Sequence, residues 1–194
     1  MGEIRAFIAI ELPDEVKTNL STLLGKLKPG HERTVKWVDP NSIHLTLKFL
    51  GNIPDSKIVD ITQAVTNATQ KIRPFSLSLQ RLGTFPNLRS PKIAWVGIGG
   101  DVEVVTSIHR QIDRALVPLG FASEKRSFSP HLTLGRVRDK ATNKERSDLG
   151  KAIESIKVKN PSPFSVDQVS LMQSTLTKSG AIYDQISIIT LDKN

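Results

Sequence analysis

Ile43-His44-Leu45-Thr46-Leu47-Lys48-Phe49-Leu50 is an apolar run, and its central tetrapeptide returns as His131-Leu132-Thr133-Leu134. Both copies read as strands. Side chains two apart on a strand point to one face. His44 and Thr46 therefore project together, as do His131 and Thr133, while Leu45, Leu47, Leu132 and Leu134 turn toward a core. Two imidazoles and two hydroxyls meeting in one cleft make a metal-free acid–base site with an anion clamp.

Working outward, more than the tetrapeptide repeats. Ala6–Ile10 aligns with Ala94–Ile98 at an offset of 88, and Pro74–Leu77 aligns with Pro163–Val166 at 89. Each half then reads strand, helix, His-x-Thr strand, helix, Pro-Phe-Ser strand. Apolar side chains keep a helical period behind Pro13-Asp14, Asp55 and Asp101, and again behind the capping box Thr142-x-x-Glu145. Four helices with one apolar stripe each must cover sheet faces. Strands are expected over Arg5–Glu11, Val35–Val38, Ile43–Leu50, Phe75–Arg81, Ile93–Ile98, His131–Arg138, Phe164–Gln173 and Ala181–Leu191. The resulting expectation is an α+β fold, bilobal and duplicated about a pseudo-two-fold. Two antiparallel sheets face a central cleft, with helices on the outer faces. Residues 1–194 form a single bilobal domain, because no linker rich in Gly, Pro or Ser divides the halves.

Composition narrows the chemistry. The 194 residues hold 27 Lys+Arg against 19 Asp+Glu, a formal charge of +8, which suits a polyanionic partner. The absence of Cys excludes disulfides, thiolate nucleophiles and Cys-based zinc sites. Met1–Ile10 is too short in its apolar run and too soon acidic for a secretory signal, and it lacks a myristoylation pattern. No apolar stretch approaches the roughly 20 residues of a membrane-spanning helix. A cytoplasmic protein is expected, with no membrane and no obligate protein partner.

A phosphodiester opens by in-line displacement, so a pseudo-two-fold site places one imidazole on each side of phosphorus. One accepts a proton from attacking water while the other donates to the leaving oxygen. The threonine hydroxyls can hydrogen-bond the non-bridging oxygens, where charge gathers. No metal or other cofactor is needed. Lys48, four residues after His44, is expected on the same face, against phosphate. Arg136 lies nominally on the opposite face from His131 unless Gly135 carries a bulge that re-aims it. Two basic loops, Arg81–Lys92 and Ser123–Pro130, are expected to border the cleft. Arg89, Lys92, Lys125 and Arg126 could track a ribose-phosphate chain, with Phe85 or Phe128 stacking on a base. His31 and His109 lack the motif and read as solvated polar positions.

With these residues in view, the chain resembles the two-histidine (2H) phosphoesterases. The nearer likeness is to their RNA 2′,3′-cyclic phosphodiesterase branch, the LigT-like 2′-5′ RNA ligases. The likeness spans Arg5–Pro13, Trp37-Val38, Asn41–Gly51, Phe128–Arg136 and Ser174…Gly180-x-x-Tyr183. It implies metal-independent hydrolysis of an RNA terminal 2′,3′-cyclic phosphate to a 2′-phosphomonoester, and a weak reverse joining to a 2′-5′ bond. It also implies His44 as proton donor and His131 as proton acceptor. RNA with a cyclic-phosphate end is the implied partner, tRNA fragments among the candidates. Two alternatives stand beside it: a phosphodiesterase of small cyclic nucleotides, and an RNA-phosphate-binding module that turns nothing over. Neutral imidazole is a poor phosphate clamp where Arg and Lys are available, which counts against the second.

Overall fold

The computed structural model describes residues 2–158, 162–177 and 180–192. Met1, the first residue of the opening segment, lies outside them. Among the described residues, nine strands and four α-helices follow one another as β1 (Glu3–Glu11), α1 (Asp14–Leu27), β2 (Val35–Trp37), β3 (His44–Pro54), α2 (Ile58–Thr69), β4 (Phe75–Phe85), β5 (Ile93–Gly100), α3 (Val102–Leu116), β6 (His131–Val137), α4 (Asn143–Ser155), β7 (Phe164–Val166), β8 (Gln168–Leu176) and β9 (Ala181–Thr190).

Two antiparallel sheets result, in the orders β3-β1-β8-β9 and β2-β6-β5-β4-β7. The two His-x-Thr strands, β3 and β6, come together where the sheets meet. Each sheet borrows two strands from the other repeat: β8 and β9 extend the first sheet beyond β1, and β2 and β4 flank β6 and β5 in the second. The halves are therefore interlocked, which explains why no linker separates them.

The expected strand over Phe164–Gln173 is two strands. The chain leaves the second sheet after Val166 and enters the first at Gln168, so β7 and β8 belong to different sheets. The segment expected to be a loop from Arg81 is strand as far as Phe85, because β4 continues through a bulge between Leu79 and Leu82. The repeat also shifts. Ala9 and Glu11 oppose Thr46 and His44, whereas Trp95 and Gly97 oppose Thr133 and His131. Trp95 thus stands where Ala9 does, two residues out of step with the sequence alignment. A two-residue slip keeps every side chain on its face, so the expected facing survives it.

The helices carry the apolar stripes expected of them. Val105, Ile108, Ile112 and Leu116 of α3 are fully buried, each stabilising the fold by about 1.5–3 kcal/mol relative to exposure. Helix α3 packs on α2 and on β3, behind the sheet junction. Helix α4 opens with the expected capping box: Thr142 accepts from the Glu145 N–H, and the Glu145 carboxylate accepts from the Thr142 N–H. A smaller cluster, Phe7, Ala9 and Met172 with Tyr183 packed against it, lines the cleft face of the first sheet.

Gly150 of α4 packs directly on the backbone of Leu88, and a Cβ there would overlap the Leu88 carbonyl oxygen. Helix propensity alone predicts that Gly150→Ala gains about 1 kcal/mol. The backbone contact outweighs it, so the variant should instead lose about 1–3 kcal/mol. Denaturant unfolding decides the sign, and a stabilised variant would show that α4 is free to shift.

Candidate active site

Each catalytic strand carries a bulge at the same place. Along β1 and β3, Ala9 opposes Thr46 and Ile8 opposes Lys48, leaving Leu47 extra. Along β5 and β6, Trp95 opposes Thr133 and Ala94 opposes Gly135, leaving Leu134 extra. An extra residue inverts the alternation beyond it. His44 and Thr46, half-buried, share the cleft face with exposed Phe49. His131 and Thr133, also half-buried, share it with exposed Arg136.

The bulge re-aims Arg136 onto the His131 face, though the extra residue is Leu134 and not Gly135. Gly135 itself faces inward, where a Cβ would lie 2.6 Å from Val35 and 2.9 Å from Trp37. Lys48 does not lie where the sequence places it. The bulge turns it away from His44 into the interior, where it is 4% exposed and paired with Asp113 of α3. It also donates to the Ala122 carbonyl at 2.9 Å. Lys48 is thus a buried structural cation, and Phe49 occupies its expected place on the cleft face.

Two further expectations are corrected. His109 is buried, with Nδ1 2.8 Å from the Leu47 carbonyl oxygen at the β3 bulge. Phe128 stacks on that imidazole, centroids 4.2 Å apart and planes 9° from parallel, so this ring face is not presented to a base. Arg126 is exposed on the loop leading to β6, and His31 sits half-buried in the turn before β2.

The two histidines are held alike. His44 Nδ1 lies 3.0 Å from the Ser42 carbonyl oxygen, and His131 Nδ1 lies 2.7 Å from that of Ser129. A carbonyl only accepts, so each Nδ1 carries the proton and each Nε2 is left for chemistry. Aromatic rings pack on both. Phe7 stacks on His44 at 4.6 Å and Tyr183 meets it edge-on at 4.8 Å. Phe85 meets His131 edge-on at 5.0 Å, with Trp95 at 6.4 Å. Phe85 is therefore a wall of the His131 seat. Phe7, Trp95 and Tyr183 were not singled out as site residues, although the parity of β1 and β5 against the motif strands could have found the first two.

Charge breaks the symmetry. Glu11 opposes His44 in the sheet, whereas Gly97 opposes His131. The Glu11 carboxylate accepts from Ser170 at 2.9 Å and from Gln185. Burial lowers the His44 pKa below its ordinary 6.5, opposed by the Ser42 carbonyl and by the negative charge of Glu11. Among the described residues, no three His, Asp or Glu side chains gather as a metal-ligand set.

Residues 8–177 match the 2′-5′ RNA ligase superfamily. The RNA 2′,3′-cyclic phosphodiesterase of Methanothermobacter thermautotrophicus is 31% identical over 189 residues, covering 97% of this chain and 100% of that protein. The RNA 2′,3′-cyclic phosphodiesterase of Methanocaldococcus jannaschii is 33% identical over 183 residues, covering 94% and 98%. Among solved structures, E. coli LigT complexed with 3′-AMP superposes with a TM-score of 0.79 at 21% identity, covering 98% of this chain and 99% of that one.

Asp113 supplies a test of the support beneath the site. Burial raises its pKa, but hydrogen bonds from Lys48, Ser123 and the Glu124 N–H, together with the Lys48 charge, outweigh it and hold the carboxyl at about 2. A depressed carboxylate contributes stability that is complete above its unfolded value and is lost as pH falls toward the folded one. Stability should therefore fall from about pH 4 toward pH 2, and Asp113→Asn should flatten that stretch. Lys48→Met should cost about 3–5 kcal/mol by stranding the carboxylate, and Lys48→Met/Asp113→Leu should recover part of the loss. A single variant no less stable than the parent would show that the pair is dispensable.

Proposed function

This chain belongs to the 2′-5′ RNA ligase superfamily, and we propose that its cleft hydrolyses the 2′,3′-cyclic phosphate at the end of an RNA to a 2′-phosphomonoester. The observation that carries this reading is the matched presentation of two histidine Nε2 atoms from strands that meet at one junction. The curated relatives' shared name supports the same substrate.

His131 Nε2 accepts a proton from the attacking water as its oxygen bonds to phosphorus. The bond from phosphorus to the ribose 3′ oxygen breaks on the opposite side, and His44 gives that oxygen its proton. Thr46 and Thr133 hydrogen-bond the non-bridging oxygens, a charge-assisted contact of about 1.5–3 kcal/mol each. Arg136, on the His131 face, neutralises phosphate charge. Two groups in opposite protonation states supply both proton transfers, so no step needs a metal. The substrates are RNA ends left as cyclic phosphates, tRNA fragments among them, and the weak 2′-5′ joining is the same displacement with an RNA 5′-hydroxyl attacking in place of water.

The acid is assigned to His44 because the Glu11 carboxylate opposite it favours an imidazolium, whereas a glycine stands opposite His131. Burial opposes this, and an anionic phosphate in the cleft works with Glu11 against burial.

An oligonucleotide ending in a 2′,3′-cyclic phosphate should yield a 2′-phosphate in excess chelator. Either histidine replaced by Ala should slow it by roughly 10²–10⁴. On a nitrophenyl phosphodiester, whose leaving group needs no proton, His44→Ala should regain most activity and His131→Ala should not. Activity lost to chelator and restored by one divalent metal would overturn the mechanism, and equal impairment on the activated substrate would overturn the acid–base roles.

Glu11→Gln gives an independent check with a defined sign. It removes a charge that raises the His44 pKa, so less imidazolium survives at high pH. The oligonucleotide kcat/KM should fall by up to about fivefold on the alkaline side and stay unchanged on the acid side. Were His44 the base, the variant would instead gain activity at low pH, and the roles would have to be exchanged.

A further inference from the structure

A cavity of about 990 Å³, at the upper end of the size range of ligand pockets, shares Trp95 as a wall with the His131 seat. It runs along the outer edge of β4, between Trp95 and Gly83 on the cleft side and the end of α4. Arg81, Arg89 and Lys157 line it, with Glu154 as its acidic member. All three cations are exposed, and among the described residues no carboxylate pairs with any of them.

Two features leave this edge open. Strand β7 pairs only with Phe75–Leu77, so beyond that point the outer edge of β4 has no strand beside it among the described residues. The bulge between Leu79 and Leu82 sets Arg81 at the start of the open edge. Gly83 supplies the room: a Cβ there would overlap the Trp95 indole, which lies across it. Trp95 thus lines the cavity while packing within 6.4 Å of His131. The cavity is separated from the reacting centre by one aromatic ring. The other side of the cleft is unlike it, since Phe7, Met172 and Tyr183 close it with apolar surface and Glu11 adds negative charge.

We infer that this groove holds the ribose-phosphate backbone of the nucleotides that precede the cyclic-phosphate end of the RNA. Arg81, Arg89 and Lys157 meet successive phosphates, and the chain leaves the active site across Trp95 toward the end of α4. Three unpaired cations lining one groove suit a polyanion and do not suit an apolar or cationic occupant. The inference rests on the proposed reaction for its direction of travel, because the cyclic phosphate marks where the chain must end.

The test compares a cyclic-phosphate oligoribonucleotide with a mononucleoside 2′,3′-cyclic phosphate. Arg81→Ala/Arg89→Ala/Lys157→Ala should raise the oligonucleotide KM by about tenfold and flatten its dependence on salt, because fewer counterions are released. Kinetics on the mononucleotide should not change. Lys125→Ala/Arg126→Ala, on the other basic loop read as a track for the chain, should raise the oligonucleotide KM by less than the groove variant does. An unchanged oligonucleotide KM would overturn the groove, as would equal losses on both substrates or a loss confined to the Lys125/Arg126 variant. Should the parent protein hydrolyse neither substrate, the proposed reaction fails separately. Anisotropy of a labelled oligoribonucleotide with a 3′-phosphate then judges the groove alone. Weaker binding by the triple variant supports it, and equal binding overturns it.

Discussion

The period of two along a β-strand is the constraint on which this molecule depends, and it is broken at the same place in both catalytic strands. Without the extra residues at Leu47 and Leu134, Lys48 would face the cleft with His44, and Arg136 would be driven into the core behind His131. Burying that arginine without a partner would cost several kcal/mol. The bulges instead put Lys48 and Gly135 inside, and Phe49 and Arg136 outside. Each inward residue then has a structural answer of its own. Lys48 finds Asp113, and Gly135 leaves space for Val35 and Trp37. Matched bulges at matched positions show that the duplication reaches below the level of elements to single backbone irregularities.

The interior charge that the first bulge creates also ties the two halves of the site together. Asp113 on α3 accepts from Lys48 on one catalytic strand, and from Ser123 and the Glu124 N–H on the loop that leads into the other. His109, one turn earlier on the same helix face, holds the Leu47 carbonyl and stacks on Phe128 of that loop. Helix α3 therefore grips β3 with one pair of side chains, and the approach to His131 through the same two residues. A buried ion pair contributes little net stability over a hydrophobic pair of the same shape. Its value here is positional. The proposed mechanism sets two imidazoles on opposite sides of one phosphorus, where a misplacement of about 1 Å in either costs catalysis heavily.

Much of this was legible because strand parity is a strong rule wherever it holds. His44, Thr46, His131 and Thr133 lie N-terminal to the bulges, so alternation alone puts them on one face. Lys48 lies beyond the bulge, and its misplacement is the direct result of extending the rule one residue too far. A bulge leaves no mark in side-chain type at Leu47. At Leu134 only the neighbouring Gly135 hints at it. His109 and Phe128 were misread for a different reason: their partners are 62 and 19 residues away in the chain, and no local pattern announces such a contact. The split of β7 from β8 is hidden likewise, since Asp167 is a single residue between two apolar runs. What the sequence could show in full was the duplication and the four groups that face the cleft. The supporting layer beneath them became visible only with the fold.

Symmetry poses the remaining problem of the site. Two histidines seated in the same way, each bonded through Nδ1 to the carbonyl two residues before it, carry no instruction about which is acid and which is base. The proposed in-line displacement requires them to differ. The difference must come from groups the duplication did not preserve. The sheet register identifies one such pair, Glu11 opposite His44 and Gly97 opposite His131. The carboxylate is itself held, by Ser170 on β8 and Gln185 on β9, strands contributed by the second repeat. The Glu11 charge reaches His44 from β1 of the same repeat and is held by strands of the other, while a glycine stands opposite His131. Strands exchanged between the duplicated halves thus fix in place the group that makes the site asymmetric, and support the division of labour proposed for its histidines.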